Sequence, residues 1–300
     1  MPARKTDLSR ILHYLLLAWS LGLACAPMAW AQSPADLHER YASLAERLQQ
    51  SPFKRPLVLD SSESPDRVQG EIYAVMDHSF SEVNASLRSP EHWCDVMILH
   101  LNIKYCRAQT GPSGTTLRIH VGRKTPQSLA DSERIDFSYR EAKASAEHLE
   151  ITLKADQGPL GTSDYQIRLD AVPLAGNRTF LHLSYSYATN IVGRAAMETY
   201  LATVGSDKVG FTVTGKPADG QSEFIGGLRA VVERNTMRYY LAIDAFLEAE
   251  KAAPAERLER RLQNWFTATE SYPRQLHEMD RASYLEMKRA EVARQNSVLE

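Results

Sequence analysis

Between Leu101 and Val213 the chain alternates apolar and polar residues in one segment after another. Leu101, Ile103 and Tyr105 are separated by Asn102 and Lys104, and Leu117, Ile119 and Val121 by Arg118 and His120. The same period of two runs through Leu149, Ile151 and Leu153, through Tyr165, Ile167 and Leu169, and through Leu181, Leu183, Tyr185 and Tyr187. Ile135, Phe137 and Tyr139 make a further strand, and Val209, Phe211 and Val213 a short run. Such alternation predicts an antiparallel sheet with one apolar and one wet face. Gly111-Pro112-Ser113-Gly114 and Ala175-Gly176-Asn177 supply turns between strands.

Helical signals flank this region. Ser33-Pro34 opens a helix whose face carries Leu37, Tyr41, Leu44 and Leu48. Lys54 to Asp66, rich in Pro and Ser, reads as a linker, and Gly70 to His78 as a first strand. Two short helices follow: Ser79 with Glu82 forms a capping box, and Ser89-Pro90 opens the helix containing Trp93 and Cys94. A short helix is expected at Ala195–Thr203. The longest helix is expected from Phe224 to Ala249, with a stripe through Leu228, Val231, Val232, Tyr239, Ala242, Ile243 and Phe246. Arg229, Glu233, Asp244 and Glu248 fall largely away from that stripe. Two further helices, about 255–270 and 274–295, are expected to pack on the main domain, because their apolar residues are too few for a separate core.

One strand, two short helices, a run of antiparallel strands and a long closing helix resembles the helix-grip fold of the START and Bet v 1-like (SRPBCC) superfamily. The resemblance covers residues 66–249. It implies an α+β fold in which a curved sheet grips the closing helix and encloses a cavity for an apolar small molecule or lipid. No catalytic set is carried over, because no residue pattern here matches one. The inward-facing positions make Ile103, Tyr105, Leu117, Ile119, Ile151, Leu153, Ile167, Leu183, Tyr185, Tyr187, Val231 and Tyr239 the candidate lining. The expected organisation is a signal at 1–31, an N-terminal helix and linker at 32–65, the helix-grip domain at 66–249 and a helical extension at 250–300.

The signal rests on Arg4, Lys5 and Arg10, an apolar run from Ile11 to about Met28, and Ala29-Trp30-Ala31. These are the basic, apolar and small-x-small parts of a secretory signal of bacterial type, with cleavage after Ala31 and a periplasmic or secreted product. Lipid attachment at Cys25 and an uncleaved anchor are the alternatives. The remaining chain carries 32 Lys+Arg against 36 Asp+Glu, a net charge of −4. That balance gives no electrostatic reason to expect nucleic acid or an anionic membrane as partner. Cys94 and Cys106 remain as an even pair, and an oxidising compartment makes a disulfide the default. A straight strand from Ile98 would put Cys106 ~26 Å along it. The bridge therefore requires the helix holding Cys94 to continue to about His100 and the chain then to double back.

Chemistry is sparse. There is no HExxH, CxxC, GxSxG, P-loop or GxGxxG, and no cofactor is implied. His100, His120 and His182 lie near or within strands, and three rings together would suit a metal. His120 and His182, however, fall on the polar parity, toward solvent or a covering extension. Asp77-His78 is the better acid–base candidate, although adjacent strand residues point to opposite faces. Three functions stay open: a binding module, an enzyme of the same fold, and an envelope interaction protein using residues 255–295. The enzyme needs two or more polar groups converging inside the cavity. The interaction protein needs exposed Trp265, Phe266 and Tyr284.

Overall fold

The alternating segments become one eight-stranded antiparallel sheet in a computed structural model that describes residues 33–203, 207–215 and 222–297. The expected signal at 1–31 lies outside the described residues. The strands are β1 (Leu57–Glu63), β2 (Arg67–Met76), β3 (Ile103–Gly111), β4 (Gly114–Val121), β5 (Glu133–Ala144), β6 (Leu149–Gln157), β7 (Thr162–Leu174) and β8 (Arg178–Thr189). Their order is β1-β2-β8-β7-β6-β5-β4-β3, so hairpins connect β3 through β8 while β2 pairs with β8.

Two short helices, α3 (Phe80–Leu87) and α4 (Pro90–Met97), link β2 to β3. Their starts follow the sequence signals. Ser79 and Glu82 form the capping box, and the Ser89 hydroxyl accepts from His92 N–H. At the N-terminus α1 (Pro34–Ser43) and α2 (Ala45–Gln49) divide what the sequence presents as one helix. After β8 come α5 (Ile191–Ala202) and a small ribbon, β9 (Val213–Gly215) with β10 (Glu223–Phe224). The closing helix α6 spans Gly227–Glu250, followed by α7 (Pro254–Thr269), α8 (Pro273–Leu276) and α9 (Arg281–Ser297).

The core lies between the sheet and α6. Leu117, Ile119, Ile135, Phe137, Ile151, Leu153, Ile167 and Leu183 all point into it. Gly70 of β2 lets α6 approach closely, since a Cβ there would collide with Thr236. The terminal helices join the same core through Leu262, Trp265, Tyr284 and Met287.

Three expectations change and one is resolved. The segment expected as a linker contains β1, which pairs along β2 from Leu57↔Ala74 to Glu63↔Val68. The apolar run Leu57-Val58-Leu59 has a face to bury on each side. Leu57 and Leu59 enter the main core, while Val58 joins Leu37, Leu44, Leu48, Tyr73 and Phe180 beneath the N-terminal helices. The expected domain boundary at residue 66 therefore falls in the β1–β2 turn. Second, Glu233 does not face solvent: its buried carboxylate accepts from Ser61 Oγ, Thr212 Oγ1, Phe211 N and Thr212 N at 2.6–3.0 Å. This holds residues 209–212 as a loop, so the run expected there yields only the short β9. Third, of the two surroundings expected for His182, solvent or a covering extension, the structure shows the covered one, with the ring stacked on Tyr73 and bonded to Glu71 at 3.1 Å.

Fourth, β3 is irregular. Ile103 pairs with Val121, but Tyr105 pairs with His120, so the pairing skips Lys104. A bulge of this kind reverses the alternation beyond it. Cys106 consequently turns into the core and Tyr105 turns out of it, against the ring of His120. Hydrogen bonds of Ile98, Leu99 and His100 N–H back to Cys94, Val96 and Met97 carry α4 on as tight turns to His100. The chain then reverses, Cys94 and Cys106 stand 5.1 Å apart at Cα, and the disulfide forms. Among the described residues, no helix is long and apolar enough to cross a membrane.

Two ties bind the periphery. Glu278, buried after α8, pairs with Lys124 at 2.6 Å, Arg238 at 2.9 Å and Lys208 at 3.0 Å. Burial alone would raise its carboxyl, but these cations outweigh that and hold it at about 2, against an ordinary 4.5. A carboxyl lowered on folding stabilises fully above its unfolded value and loses that contribution as pH falls through its folded value. Glu278→Gln should therefore cost about 3 kcal/mol near neutrality, by leaving Arg238 buried without its partner. It should also flatten the loss of stability between pH 4.5 and 2, read by urea unfolding at a series of pH values. Removing the disulfide as Cys94→Ala/Cys106→Ala frees a loop with a sequence separation of 12. Urea unfolding should show a loss of about 3 kcal/mol.

Candidate functional site

The gripped helix does not fill the whole space above the sheet. A cavity of about 150 Å³ remains, walled by β4, β5, β7 and β8, by α6, and by the turn from α4 into β3. Of the candidate lining residues, Ile103, Ile119, Ile167, Tyr185 and Tyr239 border it. Leu117, Ile151, Leu153, Leu183 and Tyr187 lie in the solid part of the same core, and Val231 packs at its margin. Tyr105 is on the other side of β3, because of the bulge. Apart from Tyr105 these residues belong to or pack against the inner core, and parity does not say which stretch of it stays unfilled.

The polar wall residues were the harder ones to foresee. His100 is 3% exposed, in the turn between α4 and β3. Its Nδ1 accepts from Asn102 N–H at 3.2 Å, and its ring stacks on Tyr239 with centroids 5.1 Å apart. Because Nδ1 accepts, a neutral ring carries its proton on Nε2. That Nε2 is buried with no hydrogen bond of ordinary geometry, and the Asn235 side chain is the polar group that interacts with the ring. Burial, then the nearby charges of Arg238 and Lys288, push His100 well below the ordinary histidine range, so the ring is neutral. Sequence parity says nothing of a residue in a turn. Asn235 had a legible signal: it sits four residues from both Val231 and Tyr239, a polar side chain within the apolar stripe of α6.

Tyrosines complete the wall. Tyr165 and Tyr185 border the cavity together with Tyr239, and the Tyr185 and Tyr239 rings meet edge to face at 5.3 Å. Tyr165 OH and Thr162 Oγ1 are 2.7 Å apart. Burial raises all three phenols, so they remain protonated. The wall thus presents aromatic faces, neutral hydroxyl and imidazole groups and no charge.

The other candidates do not converge here. His120 bonds to Ser132 Oγ at 2.9 Å, and His182 lies on the outer face, so the three histidines form no common site. Asp77 is exposed while His78 is buried 3.6 Å from Asp244 at a different place on α6, so Asp77 and His78 do not act as a pair. Trp265, Phe266 and Tyr284 are buried, Trp265 stacking on Tyr284 at 5.0 Å, and are not available to a partner.

The strand order, the paired helices after β2 and the sheet closing on α6 are now all in view. The chain has a helix-grip fold. No protein-family model matches the sequence, and no curated protein does. Among solved structures, truncated norcoclaurine synthase from Thalictrum flavum is similar at 14% identity, over 48% of this chain and 89% of that one, with a TM-score of 0.33. Human StAR-related lipid transfer protein 5 is similar at 7% identity, over 57% and 91%, with a TM-score of 0.32. A conserved protein of unknown function from Enterococcus faecalis is similar at 9% identity, over 85% and 98%, with a TM-score of 0.35. The helix-grip assignment rests on the strand order and the gripped helix that this chain itself displays.

The neutral state of His100 is directly measurable. Nitrogen-detected NMR of the imidazoles should show one histidine fixed as the Nε2–H tautomer from pH 5 to 8, absent from His100→Gln. A ring that titrates near 6.5 at that position would contradict the geometry.

Proposed function

We propose that this chain is an exported binding protein for a small, uncharged, largely aromatic molecule carrying a hydrogen-bond acceptor. The observation that carries this reading is the buried Nε2–H of His100, which makes no hydrogen bond of ordinary geometry and stands beside Asn235 in the wall of the cavity. A buried donor without an acceptor costs about 1–3 kcal/mol, and a ligand oxygen placed against it recovers that loss. Tyr165, Tyr185 and Tyr239 offer faces for a ring, and a chargeless wall favours a neutral occupant. Size narrows the choice further. At about 150 Å³ the space suits a single substituted ring. An intact lipid or sterol needs several times more, and would enter only if α6 moved away from the sheet. Export is supported by the signal-type N-terminus together with the Cys94–Cys106 disulfide.

A second reading has one specific support, since several polar groups converge on the cavity. An enzyme of this fold would use His100 as an acid, because Nδ1 is engaged and Nε2 holds the proton. Nothing on the wall offers a base of matched strength, so binding without turnover is preferred.

Native mass spectrometry of the protein from its exporting host, with extraction of any bound compound, is the first test. Calorimetry against simple phenols and aryl ketones is the second. A ring-sized neutral ligand should bind, and Ile119→Phe, which fills the cavity, should weaken it at least about 10-fold while the fold is retained. Failure of every such compound to bind, or binding indifferent to Ile119→Phe, defeats the reading.

A further inference from the structure

On the opposite face of the sheet, away from the cavity, β6 and β7 bring three possible metal ligands together. His148, Glu150 and Asp170 are all buried, and one donor atom from each lies within 4.8 Å of the others. Glu150 and Asp170 stand directly opposite one another in the β6–β7 register. Two carboxylates in that relation repel, and burial makes the repulsion worse. Arg168 relieves part of it, holding Asp170 Oδ2 at 2.7 Å and Glu150 Oε1 at 3.3 Å. One negative charge still remains over among these three charged side chains.

Two details point to what else belongs there. Glu150 is 6% exposed, yet its Oε2 is buried without any hydrogen-bond partner. His148 Nε2 stands 3.3 Å from Asp170 Oδ1. Two ligands on one zinc ion, each ~2.0–2.1 Å from it at a tetrahedral angle, are separated by about 3.3 Å. Arg168 meanwhile donates to both oxygens of Asp170, to Oδ2 at 2.7 Å and to Oδ1 at 3.2 Å, and stands 3.3 Å from Glu150 Oε1, so it orients both carboxylates as outer groups do around a metal and leaves Oδ1 one lone pair for the ion.

We propose that His148, Glu150 and Asp170 form a mononuclear site for a divalent transition metal, with zinc the best match to a one-imidazole, two-carboxylate set. The donors are His148 Nε2, Asp170 Oδ1 and a carboxylate oxygen of Glu150, one donor atom of each residue lying within 4.8 Å of the others, and a water completes the four-coordinate ion. The site is structural. It ties β6 to β7 on the face where, two positions along β7, Val172 packs with Leu37 and Leu44 of the N-terminal helices.

The test uses the full chain, freed of metal by chelator dialysis and titrated with Zn²⁺ and, separately, Co²⁺. One equivalent of zinc should bind, with Kd at or below about 1 µM and a rise in thermal midpoint. Cobalt should develop the intense visible absorption of a four-coordinate ion. Glu150→Gln and His148→Gln should each weaken zinc at least about 100-fold. His277→Gln, which removes an exposed histidine paired with Glu270, should leave the affinity unchanged. Absence of stoichiometric uptake by the unaltered chain would overturn the site and leave a His148–Asp170 hydrogen bond in its place. Uptake that survives both ligand substitutions in folded protein, or that is lost with His277→Gln, would overturn it equally.

Discussion

Everything in this structure is arranged around a 24-residue helix that must bury charge. Along α6, buried positions follow one another with little interruption, and they include Glu233, Arg234 and Arg238. A charge taken out of water is tolerated only where partners replace the water. Strand β1 and segments outside the grip supply them. Ser61 of β1 and the loop at 211–212 surround Glu233, and Val209 O accepts from Arg234. Glu278 and Leu276 O receive Arg238, while Arg55 pairs with Asp244. The terminal extensions are thus part of the solvation of the closing helix.

The sheet's far edge is settled in a related way. β3 has a neighbour on one side only, and α9 lies along the other. Arg294 donates to Lys104 O, Lys288 to His100 O and Ile103 O, and Gln295 accepts from Cys106 N–H. Side chains here take the place of a ninth strand, which protects an edge that would otherwise be a template for pairing. The bulge at Lys104 belongs to the same arrangement. It leaves that lysine buried against Glu291 of α9 and turns Cys106 toward Cys94.

These two arrangements determine the character of the cavity. The disulfide and the α9 contacts hold the turn carrying His100, and burial first, with the nearby charges of Arg238, Lys288 and Lys124 adding to it, keeps that ring neutral. Those cations are themselves paired with Glu278 and Glu291, outside the wall. The cavity is therefore uncharged because the charges near it are satisfied elsewhere.

Local chemistry in the sequence determined much of this. Period-two alternation fixed which face of β4 through β8 is apolar, and Ser79-Glu82 and Ser89-Pro90 fixed where α3 and α4 begin. The length of the apolar stripe announced the closing helix, and the order of these elements its grip. Only the tertiary structure decided the rest, because the causes are contacts between distant residues. Whether Lys104 bulges depends on Glu291, 187 residues away, and that choice exchanges Tyr105 for Cys106 on the inner face. Whether Leu57–Leu59 is linker or strand depends on the N-terminal helices α1 and α2 and on α6 covering its two sides. Which inward residues border a cavity depends on where α6 stands above the sheet, a distance that no single segment encodes.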